Sequence, residues 1–266
     1  MNKVTNSEMI EFLLATEKKY LYLINDIKKS ELPTAFKSEC YIYKDGNDFV
    51  LIFHLDKNSA MYNVEVVDDR RIEEFYDIVM NNSKKEYLIM TQNKDLFAKE
   101  KFIDLFGELN YSKSSNYIAF KSSSIGNDLE SRKNHIRLLT PEDEQFVLNF
   151  DSDERVGLKR SFDRYLINKF YLGMIYGYFI DDELGGYLSA NSIDDIFWDV
   201  EYIYTLEKYR GQKIGTIIAN FYLNDIIGRG GIASYGSAEN DASVKVALNA
   251  GFEPYDETYT TSWIKD

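Results

Sequence analysis

The stretch Asp199-Val-Glu-Tyr-Ile-Tyr-Thr-Leu-Glu-Lys-Tyr-Arg-Gly-Gln-Lys-Ile-Gly-Thr216 holds the residue types best suited to chemistry. Asp199 and Glu201 stand two apart in a run that reads as a strand, so their carboxylates share one face. A carboxylate placed this way can take a proton from a nucleophile. Solvated or paired with a cation, it has no chemical part. Farther on, Arg210, Gly211 and Gly215 make a tight turn that opens directly into a helix. Helix N-termini present unpaired N–H groups and a partial positive charge, and glycine lets a backbone approach a phosphate closely. The turn is therefore a pyrophosphate cradle in waiting. Neither Gly-x-x-x-x-Gly-Lys-Ser/Thr nor Gly-x-Gly-x-x-Gly occurs in it, so both nucleotide fingerprints fail. Standing alone, such a turn is more often plain structure.

Other chemistries find little material. One cysteine, Cys40, excludes an intramolecular disulfide framework and a cysteine-rich zinc site. Two histidines, His54 and His135, leave no histidine metal cluster or Ser-His-Asp triad to expect, so no metal is expected. His54 sits in an apolar strand and reads as a core or edge residue. The net charge of −13 is shared, with 17 basic against 22 acidic residues in 1–130 and 14 against 22 in 131–266. That balance lacks the basic face of a nonspecific nucleic-acid binder; it suits a cationic small molecule or basic peptide, or simply solubility. No apolar run reaches the ~18 residues of a membrane span. Glu8, Glu11 and Glu17 near the start exclude a signal peptide, so a cytoplasmic protein with no membrane partner is expected.

Length favours two domains: 266 residues at roughly 150 per domain. In the first half the periodicity predicts a helix over 7–28 with Ser7 as N-cap, strands over 38–43 and 49–55 joined by a turn at 44–47, a strand over 61–67 and a helix over 71–80. A strand over 86–90, a helix over 96–105 and a strand over 117–120 follow. Residues 121–134 are polar and serine-rich and read as a linker, with the boundary near 128. The second half predicts strand 135–139, helices 142–149 and 160–169, hairpin 174–189, strand 197–206 and an amphipathic helix 214–227. It ends with strand 232–237, helix 242–249 and strand 259–264. Both halves close alike, an Asn opening a helix that leads through Gly to a final strand, from Asn93 and from Asn240. A duplicated α/β domain explains this, as does coincidence of common elements.

The element order from Asn134 to the C-terminus resembles the GNAT family of acetyl-CoA-dependent N-acyltransferases. Its carriers are Ile136 through Asp143, Gly185-Gly186-Tyr187-Leu188, Tyr204 through Gly215, and Asn240 through Phe252. The resemblance implies a mixed β-sheet flanked by helices, with acetyl-CoA as acyl-donor cosubstrate. It implies that Arg210, Gly211, Gln212, Lys213, Ile214, Gly215 and Thr216 hold the CoA pyrophosphate. Ile203, Tyr204 and Thr205 would pair with the pantetheine arm like an added strand, and Asn240 and Ser243 would meet it from the next helix. Two positions depart from the family. Lys213 replaces a glycine, which is tolerable if its backbone is already helical; its ammonium either assists phosphate binding or crowds the cofactor. Ala247 replaces the tyrosine that protonates the departing thiolate, for which Tyr255 or Tyr259 are substitutes unless they merely pack.

These readings give tandem GNAT-like domains of mixed α/β class: 1–128, degenerate, and 129–266, catalytic. Residues 67–70, Val-Asp-Asp-Arg, offer the first half no glycine and two repelling carboxylates where a cradle would lie. The expected reaction is direct attack of a primary amine of a small cationic acceptor on the thioester, polarised by a backbone N–H near Thr205 or Leu206. At pH 7 an alkylamine is about 4.6 kcal/mol from its free base, so a base is wanted: Glu201 first, Asp199 second. Tyr255 is the candidate acid. Trp198 and Tyr202 are expected to alternate with the acidic face, and the 151–155 loop to shape the acceptor site or to be solvated. A non-catalytic acyl-CoA-binding module is the alternative, and the sequence leaves room for a homodimer.

Overall fold

A capping box starts the chain's first helix: Thr5 accepts from the Glu8 N–H, and the Glu8 carboxylate reaches back to Thr5, two residues ahead of the expected Ser7 cap. The computed structural model describes all residues except 17–19, 33–36, 43–47, 67, 151–154, 170–171 and 266. The expected turn at 44–47 and most of the 151–155 loop lie outside the described residues. In chain order the elements are β1 Asn2–Val4, α1 Asn6–Leu14, α2 Leu21–Ser30, β2 Lys37–Ile42, β3 Phe49–His54, β4 Ser59–Glu65, α3 Asp69–Asn81, β5 Glu86–Thr91, α4 Glu100–Phe106 and β6 Ser112–Ala119. There follow α5 Asn127–Glu130, β7 Ile136–Leu138, α6 Glu144–Leu148, α7 Arg155–Phe162, β8 Leu172–Ile180, β9 Glu183–Ser192, β10 Phe197–Thr205, α8 Ile214–Gly228, β11 Ile232–Ala238, α9 Asp241–Ala250 and β12 Glu253–Ile264.

The chain forms two units, Met1–Ser114 with Asp256–Asp266, and Ser115–Tyr255. The expected boundary near 128 is thus displaced, and the last strand returns to the first unit. The reason is visible in 121–134, which is not a free linker. The Asn220 and Asn224 carboxamides donate to the Ser123 carbonyl at 3.1 and 2.8 Å, and Arg132 donates to Tyr178 and to the Gln212 carbonyl. The segment is tied to the second unit at Ser123 and Arg132, while Lys121, Ser122, Ser124, Asn127 and Asp128 stay exposed.

In the first unit the strands run β1-β2-β3-β4-β5-β12, antiparallel except for the parallel β4–β5 pair. β3 is apolar from Phe49 to Phe53 because both its faces are covered. Val50 and Ile52 meet Ile72, Phe75, Phe102 and Phe106 of α3 and α4, while Phe49, Leu51 and Phe53 meet Met9, Leu13 and Ile24 of α1 and α2. The Asp68 carboxylate caps α3 by accepting from the Arg70 N–H, so this N-terminus already has its anion.

The second unit orders its strands β6-β11-β10-β9-β8-β7, with β10–β11 parallel. α8 covers one face, packing Ile217, Tyr222 and Ile226 on Tyr176, Leu188 and Trp198. α6 and α7 cover the other, with Val147, Leu158 and Phe162 on Ile175 and Tyr187. Contrary to the amphipathic expectation, α8 is buried on most sides, including Thr216 and Asn220. Asn220 tolerates burial by donating to the Ala250 carbonyl at 2.7 Å. The expected helix over 160–169 becomes α7 followed by a widened π turn at Asp163–Ile167. Among the described residues no helix is long and apolar enough to cross a membrane.

Candidate active site

β10 and β11 are paired only over Phe197–Asp199 and Ile232–Ser234. Two side-chain bonds fix where they part: the Tyr222 hydroxyl donates to the Trp198 carbonyl at 2.7 Å, and the Ser234 hydroxyl donates to the Asp199 carboxylate at 2.5 Å. Beyond that vertex β10 remains on β9, with Ile203 opposite Leu188 and Thr205 opposite Gly186. The Leu206 N–H donates to the Gly185 carbonyl at 2.9 Å, so it is no oxyanion donor, contrary to one of the two expected positions. Antiparallel alternation then turns the N–H and C=O groups of Ile203 and Thr205 away from β9, toward the gap left by β11.

That gap is a groove of about 550 Å³. Ile203, Tyr204, Thr205, Arg210, Gly211, Lys213, Ile214, Gly215, Thr216, Asn240 and Ser243 all line it. Gln212 does not; its carbonyl is turned to Arg132. Gly211 at φ +81° and Lys213 at φ +62° bend the chain into α8, whose N-terminus has no side-chain cap. Its first N–H groups are thus left for an anion, with Arg210 and Lys213 supplying charge. Lys213 is left-handed, so the helical backbone that would make its side chain tolerable is not what the turn adopts; this conformation costs a residue with a Cβ roughly 1–2 kcal/mol. Arg210 is steadied by a 2.9 Å bond to the Tyr204 hydroxyl. Asn240 caps α9, accepting from the Ser243 N–H at 2.9 Å, and Gly251 at φ +100° ends the helix where a Cβ would strike Ser123. The spacing from Asn240 to Gly251 is therefore the length of α9 with its two caps.

Between Val200 and Tyr202 the register with β9 slips, and Glu201 is the extra residue of a bulge. The slip puts Glu201 and Tyr202 on the same face: Glu201 meets Ser161 of α7, and Tyr202 packs with the α6–α7 core and accepts from Arg160. Strict alternation thus fails for Tyr202, while Trp198 packs under α8 as expected. The Glu201 carboxylate accepts from Arg164 at 3.0 Å, from Ser161 at 3.2 Å and from the Tyr165 hydroxyl. Arg164 and Tyr165 are consecutive residues of the π turn, which lets both reach one carboxylate. Burial and the adjacent Glu201 raise the Tyr165 phenol far above its ordinary pKa, so it donates. Its ring lies where a Cβ on Gly173 would be.

Neither Tyr255 nor Tyr259 lines the groove. Tyr259 lies in the first unit's core and donates to Glu257 at 2.7 Å, which with burial pushes the phenol up to about 12. Reading the sequence missed Tyr209, Tyr235, Ala242 and Val246. Val246 was within reach, one helical turn beyond Ser243. Tyr235 is the first β11 residue past the vertex, and no pattern marks where two strands part. Among the described residues no three His, Cys, Asp or Glu side chains converge on a metal site.

Residues 136–252 match the Acetyltransferase (GNAT) family. They are a GNAT domain. No curated protein matches the chain by sequence. A Drosophila protein solved by X-ray crystallography is similar over 99% of this chain and 98% of its own, with 12% identity and a TM-score of 0.62. A tandem GNAT protein from the clavulanic acid biosynthesis pathway shares 13% identity over 98% of this chain and 94% of its own, at 0.56. A GNAT-family acetyltransferase from Colwellia psychrerythraea shares 14% over 98% of both, also at 0.56. At such identities the likeness is one of fold, and it extends over the GNAT domain and the first half together. Over residues 136–252 the family is one of acetyltransferases.

Proposed function

We propose that the chain transfers an acetyl group from acetyl-CoA to a primary amine of a small acceptor by direct attack. The observation that carries this is the splayed β10–β11 pair leading to the uncapped N-terminus of α8. The α8 amides with Arg210 and Lys213 take the pyrophosphate, and Ile203 and Thr205 offer the arm a strand edge. Bound there, acetyl-CoA supplies the activated acyl group. The amine must shed a proton before attack. A carboxylate has about four acceptor sites. Glu201 uses three on Ser161, Arg164 and Tyr165, which leaves one for the amine proton. Asp199, bonded to Ser234 at the vertex, is the second choice. The acidic chain favours a cationic acceptor.

A non-catalytic acyl-CoA-binding module is favoured by one feature, the ion pair of Glu201 with Arg164. Calorimetric titration with acetyl-CoA, with Gly215→Glu as control, tests the groove; a panel of amines followed by thiol release separates the readings. Micromolar binding lost in the control, with turnover of an amine, is expected. Binding without turnover on any amine favours the module, and no binding sinks both.

A further inference from the structure

Three phenols line the groove, and two are already committed. The Tyr204 hydroxyl accepts from Arg210 at 2.9 Å, and the Tyr209 hydroxyl donates to Glu183 at 2.7 Å. Tyr235 differs. It follows Ser234, the last β11 residue paired with β10, so it stands at the closed end of the groove, opposite the α8 cradle. β10 runs from that vertex at Asp199 to Thr205, a span of roughly 20 Å at strand rise. An arm whose phosphates rest on α8 therefore brings its far, reactive end toward Tyr235. The ring is buried against Phe252 at 5.7 Å, and its hydroxyl lies 2.9 Å from the Ser243 Oγ on α9. Four residues on, Ala247 offers α9 no hydroxyl of its own and is fully buried. The phenol that lines the groove at this end comes from the strand, and the helix meets it with the Ser243 hydroxyl.

We propose that Tyr235 is the acid that protonates the departing CoA sulfur, with Ser243 as the residue that positions it. This rests on the acetyltransferase reading above. In the step, the amine nitrogen forms a bond to the acyl carbon and the carbon–sulfur bond breaks, its electron pair going to sulfur. Sulfur takes the Tyr235 hydroxyl proton and leaves as the thiol. The proton shed by the amine nitrogen passes to the base and solvent, and solvent returns one to Tyr235, so the products are an amide and CoA. Burial raises the Tyr235 phenol, which keeps it protonated at neutral pH, while the Ser243 hydroxyl works the other way by supporting the phenolate.

Tyr235→Phe keeps the ring and removes only the hydroxyl. In the full chain, with the amine that gives the fastest thiol release, kcat should fall about 100-fold while the Kd for acetyl-CoA stays within twofold. Ser243→Ala should lower kcat only several-fold. A second readout needs no acceptor: fluorotyrosine at position 235 is followed by fluorine NMR on adding CoA or desulfo-CoA, which lacks the sulfur. The resonance should move with CoA and by less than a third as much with desulfo-CoA. Equal shifts, or a Tyr235→Phe variant that keeps half its kcat, overturn the assignment and leave the acetyltransferase reading standing. Failure of the wild type to bind acetyl-CoA removes both.

Discussion

Lys213 does two things at once: at φ +62° it bends the chain into α8, and it brings a cation to the groove it lines. Its type and place in the turn were plain, but its φ was not, because the sequence motif does not say which residue of Arg-Gly-Gln-Lys-Ile-Gly makes the bend. The structure puts the bend at Gly211 and Lys213, leaving Gly215 in the first turn of α8, 3.4 Å from Val246 for a Cβ. Lys213→Gly should relieve the left-handed strain. After allowance for glycine's extra freedom when unfolded, the net gain is below about 1 kcal/mol in urea denaturation. Acetyl-CoA should bind several-fold more weakly in this variant, because a cation leaves the cradle; tighter binding would mean the ammonium crowds the site instead. At Glu201 the type was legible and the bulge was not, since a slip in pairing depends on β9. Glu201→Gln preserves shape and weakens the ion pair with Arg164. It should lower kcat by about 100-fold and leave acetyl-CoA affinity within twofold. An undiminished rate would move the base to Asp199 or to water.

Elements were more legible than their junctions. The strands of the second unit follow from alternation and its helices from caps, as at Thr140, whose hydroxyl and Asp143 make a capping box at Pro141. What periodicity could not supply was the π turn after α7, which depends on Glu201 drawing Arg164 and Tyr165 to one point. The start of α6 makes a testable case of tertiary fixing. Asp143 is buried, accepts two 2.7 Å bonds from Arg137 of β7, and has its carboxyl held below the usual range chiefly by that guanidinium. A carboxyl depressed in the folded state stabilises above its unfolded pKa of about 3.9 and loses that contribution as pH falls through the lower folded value. Asp143→Asn should therefore cost about 2 kcal/mol at pH 7, and the gap to wild type should close below about pH 4. Equal stabilities at pH 7 would mean that the pair contributes nothing.

At the scale of the whole molecule, two repeats of one α/β plan were legible from element order, and the way the chain is shared between the two units was not. Alternation in 259–264 identifies a strand with one apolar face, but no local signal says which sheet it joins. It joins the first unit's, antiparallel to β5 over Tyr259–Ile264, where Trp263 lies 5.5 Å from Tyr87 and 5.3 Å from Phe106 and the Thr261 hydroxyl donates to the Asn110 carbonyl. The first unit's core is therefore completed by residues more than a hundred positions from the rest of it, and closing that loop is a cost only the packing of β12 offsets. Trp263→Ala should lower stability by about 2 kcal/mol, less than a fully enclosed tryptophan would, since Trp263 is partly exposed. Because Trp263 touches nothing in the groove, acetyl-CoA affinity measured well below the unfolding transition should stay within twofold of wild type. Amide exchange should report the loss in β5 and α4 first. Loss of protection there with α8 and β10 unchanged would show that the returned strand holds the first unit's core without setting the geometry of the GNAT site. Uniform loss in all of these elements would mean that the two units unfold as one.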